Sequence, residues 1–339
     1  MIDLLTKLSN NIQKESELKK YVRVDTLGNV NYENQSWPFY KFTLGSENPN
    51  SAVFFIVGGV HGLERIGAQL AWSFLKTTID RIMWDRSLRN ILEEIRIVVL
   101  PLVNPYGYEK FTRSNGNGVD LMRNSPIEAL DKAPYLLGGQ RKSSKIPWFQ
   151  GTKNKLEIEN QYILKTFTTE VQQSNTVVSL DFHSGFGLKD RLWFPYSYKK
   201  EPFQNLAELH ALTQCFEQSY PYHIYLIEPQ SNGYLLNGDM WDYLYIEYLK
   251  NNPNGVFIPL TLEMGSWNWV KKNPLQIFSK HGAFNPIKEH RIKRTYRRHH
   301  LMLDFMMRAL YSKNIWSSLD SEIKQKHEYF GNERWYKSK

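Results

Sequence analysis

The chain has 339 residues, 41% hydrophobic and 14% aromatic, which suits one large globular domain or two modest ones and excludes a disordered chain. No apolar run approaches the roughly 20 residues that span a bilayer, and MIDLLTKLSNNIQKESELKK lacks the continuous apolar segment of a secretory signal. A formal charge of +9 bears on solubility and anionic ligands rather than on fold, while the single cysteine, Cys215, permits no internal disulfide, so a reducing, cytoplasmic setting is expected.

In chain order, YKFTL and AVFFIVGG read as strands, and ERIGAQLAWSFLKTTIDRI has apolar residues at helical spacing. IRIVVLPLV is a further strand candidate. Residues 125–155, rich in Pro, Gly, Ser and Lys, read as a long excursion from the body. IENQYILKTFTTEVQQ follows as a helix, TVVSLDFH as a strand, WDYLYIEYLK as a helix and VFIPLTLEMG as a strand. The last fifty residues read as one or two packing helices. Within them KEHRIKRTYRRHHLMLDFMMRAL holds much of the excess positive charge. No nucleic-acid motif accompanies it, so it is read as the solvated face of a helix with Ile292, Tyr296, Leu303 and Phe305 turned inward, and neither nucleic acid nor membrane is expected as a partner.

Strands alternating with helices predict an α/β layer architecture. Strand interiors that are apolar without strict alternation predict a sheet covered by helices on both faces. With no linker in sight, residues 1–339 read as a single domain, with an N-terminal helix and lead-in over 1–39 and a helical extension over 311–339.

Ligands of such sheets gather beyond the carboxyl ends of the strands. His61 and Glu64 follow one such end in FFIVGGVHGLERIG, where two glycines let the backbone turn. His183 follows another in DFHSGFG, and Glu263 ends a third in FIPLTLEMG. Two protein ligands do not make a catalytic zinc site, which takes three and a water, and His183 completes a His, Glu, His set. The turn-rich stretch NPYGYEKFTRSNGNGVDLMRNSP adds Arg113, Asp120 and Arg123. Beside a metal, one guanidinium could stabilise an oxyanion and another grip a carboxylate. Asp181 stands two residues before His183, equally readable as support for that histidine or as a strand-end turn. WNWVKKNP either lines an entrance or caps the core. The remaining histidines are assigned to surface or core.

The order of HGLE, NPYGY…R, GVDLMRN, DFHSGFG, GYLLNGDMWDY and LTLEMG resembles the zinc carboxypeptidase family, the carboxypeptidase A-like metallopeptidases, over about residues 40–310. It looks closest to a small bacterial branch whose substrates are poorly defined. The resemblance implies a mixed central sheet of the phosphorylase/hydrolase-like type, a Zn2+ cofactor, and hydrolysis of an amide bond near the C-terminus of small peptides. It further implies that His61, Glu64 and His183 are the zinc ligands and Glu263 the general base. Arg113 would polarise the scissile carbonyl, and Arg123 would bind the terminal carboxylate. Asp120 would receive the N–H of the first zinc histidine, Tyr234 would cap the substrate, and Trp241 would floor the pocket for the terminal side chain.

One departure from the family pattern matters. Met122 stands where the family carries an asparagine, and a thioether donates no hydrogen bond, so the carboxylate grip is expected to be weaker or differently made. An uncharged, bulky Trp241 suggests small neutral terminal groups. The alternatives are an N-acyl amino acid deacylase of the succinylglutamate desuccinylase and aspartoacylase type, and a non-enzymatic binding member.

Overall fold

The computed structural model describes residues 1–185 and 187–337. Among these, eight strands form one mixed sheet: β1 (Val22–Tyr32), β2 (Gln35–Gly45), β3 (Ala52–Gly58), β4 (Ile95–Leu100), β5 (Thr176–Gly185), β6 (Asp190–Phe194), β7 (Tyr225–Pro229) and β8 (Val256–Gly265). Their spatial order is β1-β2-β4-β3-β5-β8-β6-β7. The four central strands β4, β3, β5 and β8 run parallel, whereas β2 and β6 meet this block antiparallel.

Every residue of β3 and β4 is buried, which is why neither sequence alternates. Successive phenylalanines show both faces covered. Phe54 meets Phe74 of the helix Arg65–Ile82 at 6.1 Å between ring centroids, and Phe55 meets Trp241 of the helix Met240–Asn251 at 5.8 Å. Neighbouring strand residues point to opposite faces, so the two contacts lie on opposite sides of the sheet.

The sequence-predicted strands and helices form close to their expected limits, with physical exceptions. The 95–103 run stops pairing at Leu100 because Pro101 follows, and proline cannot donate to a ladder. The 158–173 helix runs regularly only to Thr166 and continues as a wider turn over Phe167–Val171. The lead-in is more than a helix: β1 and the first five residues of β2 fall there as part of an antiparallel hairpin. Sequence periodicity passes over β1, a polar edge strand, and over β6 and β7, which are only five residues each.

The basic segment forms the helix Glu289–Tyr311, with Leu303 and Phe305 buried and Ile292 and Tyr296 packed at the core margin. His299 is buried on the same helix, its Nδ1 accepting from the Tyr225 hydroxyl at 2.8 Å. Burial pushes its pKa down to about 4, against the opposing pull of Asp190, from an ordinary 6.5. The unfolded chain therefore binds the proton more readily, so this contribution to stability is complete above pH 6.5 and lost as pH falls toward 4. Between pH 7 and pH 5 the loss amounts to about 2 kcal/mol. Denaturant titrations at the two pH values should show the wild type losing that much more than His299→Asn. Equal losses would show that His299 carries its charge inside the fold.

Candidate metal centre and substrate cavity

β3 ends at Gly58, and Gly59 turns the chain through a left-handed conformation (φ 68°) that a side chain would strain. The segment then closes a turn in which Glu64 N–H donates to the His61 carbonyl at 3.1 Å, directly before the helix Arg65–Ile82. Residues three apart in such a turn share a side, so His61 and Glu64 converge. β5 lies beside β3 and brings His183 to them, since Gly58 pairs with Phe182. β8 lies on the other side of β5, with Glu263 directly opposite His183.

The geometry of the three candidate ligands fits a cation. The Nδ1 atoms of His61 and His183 stand 3.0 Å apart, and the Glu64 oxygens approach them at 3.0 and 3.1 Å. Among the described residues this is a group whose ligand atoms all lie within 4.8 Å of one another. The far nitrogens are anchored by carboxylates: His61 Nε2 to Asp120 Oδ1 at 3.1 Å, and His183 Nε2 to Asp181 Oδ2 at 2.8 Å. Each Nε2 therefore carries the donated hydrogen, and both Nδ1 lone pairs face one another and a carboxylate. That convergence is repulsive unless positive charge sits within it. Without a metal a proton must serve: burial opposes charge on His183, but Asp181 and Glu64 drive its pKa well above the ordinary value. Burial likewise opposes ionisation of Glu64, and the two histidines reverse it, holding its carboxyl well below the usual range.

Asp120, Arg113 and Arg123 form one network behind His61. Asp120 Oδ2 accepts from Arg113 Nε and from Arg123 Nη1, both at 2.9 Å, and the pair of guanidiniums keeps its carboxyl ionised against burial. Arg113 Nη1 also donates to Glu64 at 3.0 Å, and Arg123 Nε to the Leu137 carbonyl at 3.1 Å. Among the described residues the Nη2 group of each arginine has no partner, so each can still meet a ligand.

Both arginines and the three candidate ligands line a cavity of about 400 Å3 together with Met122, Tyr234, Trp241 and Glu263. No donor among the described residues reaches the Glu263 carboxylate. Burial and the charge of Glu64 push its pKa up to about 8, an effect that a cation at the ligand group would offset. The structure thus gathers all nine sequence-named residues around one cavity, eight on its wall and Asp120 behind it.

Other residues of the cavity or directly behind its wall were open or unseen in the sequence. Asp181, left between two readings, supports His183 and also accepts from the Trp241 indole at 2.9 Å. The 125–155 excursion supplies Leu137, Pro147 and Trp148. Phe284 lines the cavity, whereas none of the WNWVKKNP aromatics does, and Trp269 packs at the core margin. Gln230, Asp239 and Asp242 carried no sequence signal beyond an aspartate placed to cap a helix.

A mixed, helix-covered sheet with a buried His, Glu, His group at its strand ends defines a metal-binding α/β protein. The zinc carboxypeptidase family profile matches residues 11–268, and the chain belongs to that family. The match begins and ends earlier than the motif order implied. Zinc is the family's cofactor, and the donor group described above suits it. The carboxypeptidase N catalytic chain of Rattus norvegicus is 24% identical over 269 residues, covering 68% of this chain and 55% of the relative. This chain spans about half the length of the curated relatives it matches. Among solved structures, bovine thrombin-activatable fibrinolysis inhibitor is similar with a TM-score of 0.64 at 18% identity, over 94% of this chain and 97% of that one. The carboxypeptidase A of Helicoverpa armigera is similar with a TM-score of 0.64 at 16% identity, over 91% and 71%. At those identities the structural likeness concerns the fold.

Proposed function

We propose that the protein is a zinc-dependent metallo-carboxypeptidase that hydrolyses an amide bond near the C-terminus of small peptides. The carrying observation is the convergence of His61 Nδ1, His183 Nδ1 and the Glu64 carboxylate, with a separate Glu263 carboxylate on the same cavity that has no hydrogen-bond partner among the described residues. When bound, zinc supplies a Lewis acid that makes water a nucleophile near neutral pH and draws charge onto the carbonyl oxygen. Asp120 and Asp181 hold the two histidines in the tautomer that presents Nδ1. Glu263 takes the proton of the attacking water and returns it to the leaving amine. Arg113, through its Nη2, which has no partner among the described residues, meets the charge developing on the carbonyl oxygen. Arg123 grips the terminal carboxylate and so positions the bond, a contribution worth several powers of ten when the reacting atoms align. Tyr234 closes over the substrate, and Trp241 forms a wall of the pocket. Met122 lines the cavity without adding a donor to the carboxylate, so Arg123 carries that grip.

The test is to incubate zinc-loaded protein with a mixture of short peptides and N-acyl amino acids, and to read the products by mass spectrometry. Loss of single C-terminal residues is expected. Release of acyl groups alone would replace the reading with a deacylase. No cleavage by protein carrying stoichiometric zinc would leave a binding role.

A further inference from the structure

The excursion over residues 125–155 leaves the body in the sequence, yet in the fold its middle returns to the site. The Leu137 carbonyl accepts from Arg123 Nε at 3.1 Å, and the Phe149 carbonyl accepts from Asp120 N–H at 2.8 Å. Leu137, Pro147 and Trp148 stand on the cavity wall. Leu136 and Trp148 both hold left-handed backbones, with φ of 61° and 63°. A residue other than glycine keeps that conformation only where its surroundings enforce it.

Gln140, 6% exposed, lies between these contact points and closes the loop. Its N–H donates to the Trp148 carbonyl at 3.0 Å, and its carbonyl accepts from Gln150 N–H at 2.9 Å. Its side-chain amide then fills the ring so formed. Nε2 donates to the carbonyls of Ser143, Ile146 and Pro147 at 2.8, 2.9 and 3.3 Å. Oε1 accepts from the N–H groups of Lys142 and Ser143 at 2.6 and 3.1 Å. One amide thus meets five backbone contacts that a loop would otherwise leave to water. The enclosed run Arg141–Lys142–Ser143–Ser144–Lys145 has no apolar side chain that could hold it by packing.

Met122 adds no donor, so the grip on a terminal carboxylate depends on how the Arg123 guanidinium is aimed. Asp120 fixes its Nη1 and the Leu137 carbonyl fixes its Nε, which together set the direction of Nη2. We infer that Gln140 is a positioning residue of that grip: it pins the excursion so that the Leu137 carbonyl holds Arg123 and Trp148 stays on the wall. The inference rests on the carboxypeptidase reading and adds to it a residue that acts through Arg123 without touching the substrate.

The test uses zinc-loaded Glu263→Gln protein, so that binding is read without turnover. Calorimetry compares N-benzoylglycyl-phenylalanine with its C-terminal amide, which has the same shape but no terminal charge. The acid is expected to bind roughly 100-fold more tightly, the scale of hydrogen bonds to a charged group. Gln140→Glu keeps the shape but sets a charge against carbonyl oxygens, and Gln140→Met keeps the bulk without either polar atom. Each should shrink the gap to under about tenfold, with amide binding and zinc content little changed. Tryptic cleavage after Arg141, Lys142 and Lys145, read by mass spectrometry without ligand, should accelerate at least about tenfold in both variants as the loop opens more often. A gap that persists in both would overturn the inference, whether or not the loop opens. Loss of zinc together with the gap would also overturn it, assigning Gln140 to the fold at large. No gap in the Glu263→Gln parent would show that Arg123 grips no carboxylate, and would sink the carboxypeptidase reading as well.

Discussion

Glu263→Gln is expected to retain a full equivalent of zinc and to lose turnover by about 10³-fold, the middle of the range for removing a general base. The amide has the shape of the carboxylate, and no hydrogen bond among the described residues is lost with it. What disappears is the capacity to accept a proton. Glu263 stands outside the group of converging ligand atoms, so metal content should not follow activity. The loss should fall on kcat with KM little changed, because the proton moves only on the way to the transition state. Metal analysis and steady-state kinetics on one preparation decide the matter. Activity above a tenth of wild type would show that another group takes the proton, and loss of zinc would make Glu263 a ligand.

Gly185→Ala should cripple the enzyme while leaving it folded. A Cβ at this position would run into Glu263 Oε1, the mobile end of a side chain, and the backbone there is not in a left-handed conformation. The clash is relieved by swinging the carboxylate aside, so we expect a stability loss of at most about 1–3 kcal/mol. Turnover should nonetheless fall about 100-fold, since a displacement near 1 Å is enough to spoil alignment of the reacting atoms. Gly67→Ala offers the contrast. There the new methyl would meet the backbone carbonyl of Phe182, which cannot swing away, and the helix Arg65–Ile82 would be pushed off β5. Melting curves and kcat for the two variants should move oppositely: small and large for Gly185→Ala, large stability loss for Gly67→Ala. Unimpaired turnover in Gly185→Ala would mean that the Glu263 carboxylate works from a different position.

The sequence by itself determined the central strands and named nine of the residues that the structure gathers around the His61, Glu64 and His183 group. Runs such as AVFFIVGG can only be buried, and the chain must turn where two glycines interrupt them, so His61 and Glu64 were legible as strand-end groups. The same logic marked His183 and Glu263, and the order of short motifs tied them to a family. Only tertiary structure decided which strands are neighbours, because β3, β5 and β8 are separated by more than a hundred residues or by whole helices and no local pattern encodes their pairing. It also decided that Asp181 turns toward His183 and Trp241. Asp239 caps the start of the helix Met240–Asn251, Asp242 lies in its first turn, and Gln230 begins a short turn after β7, none of them marked by a sequence motif. Their presence on one cavity wall comes from helix and sheet packing, through contacts that lie far apart in the chain and leave no periodic trace in it.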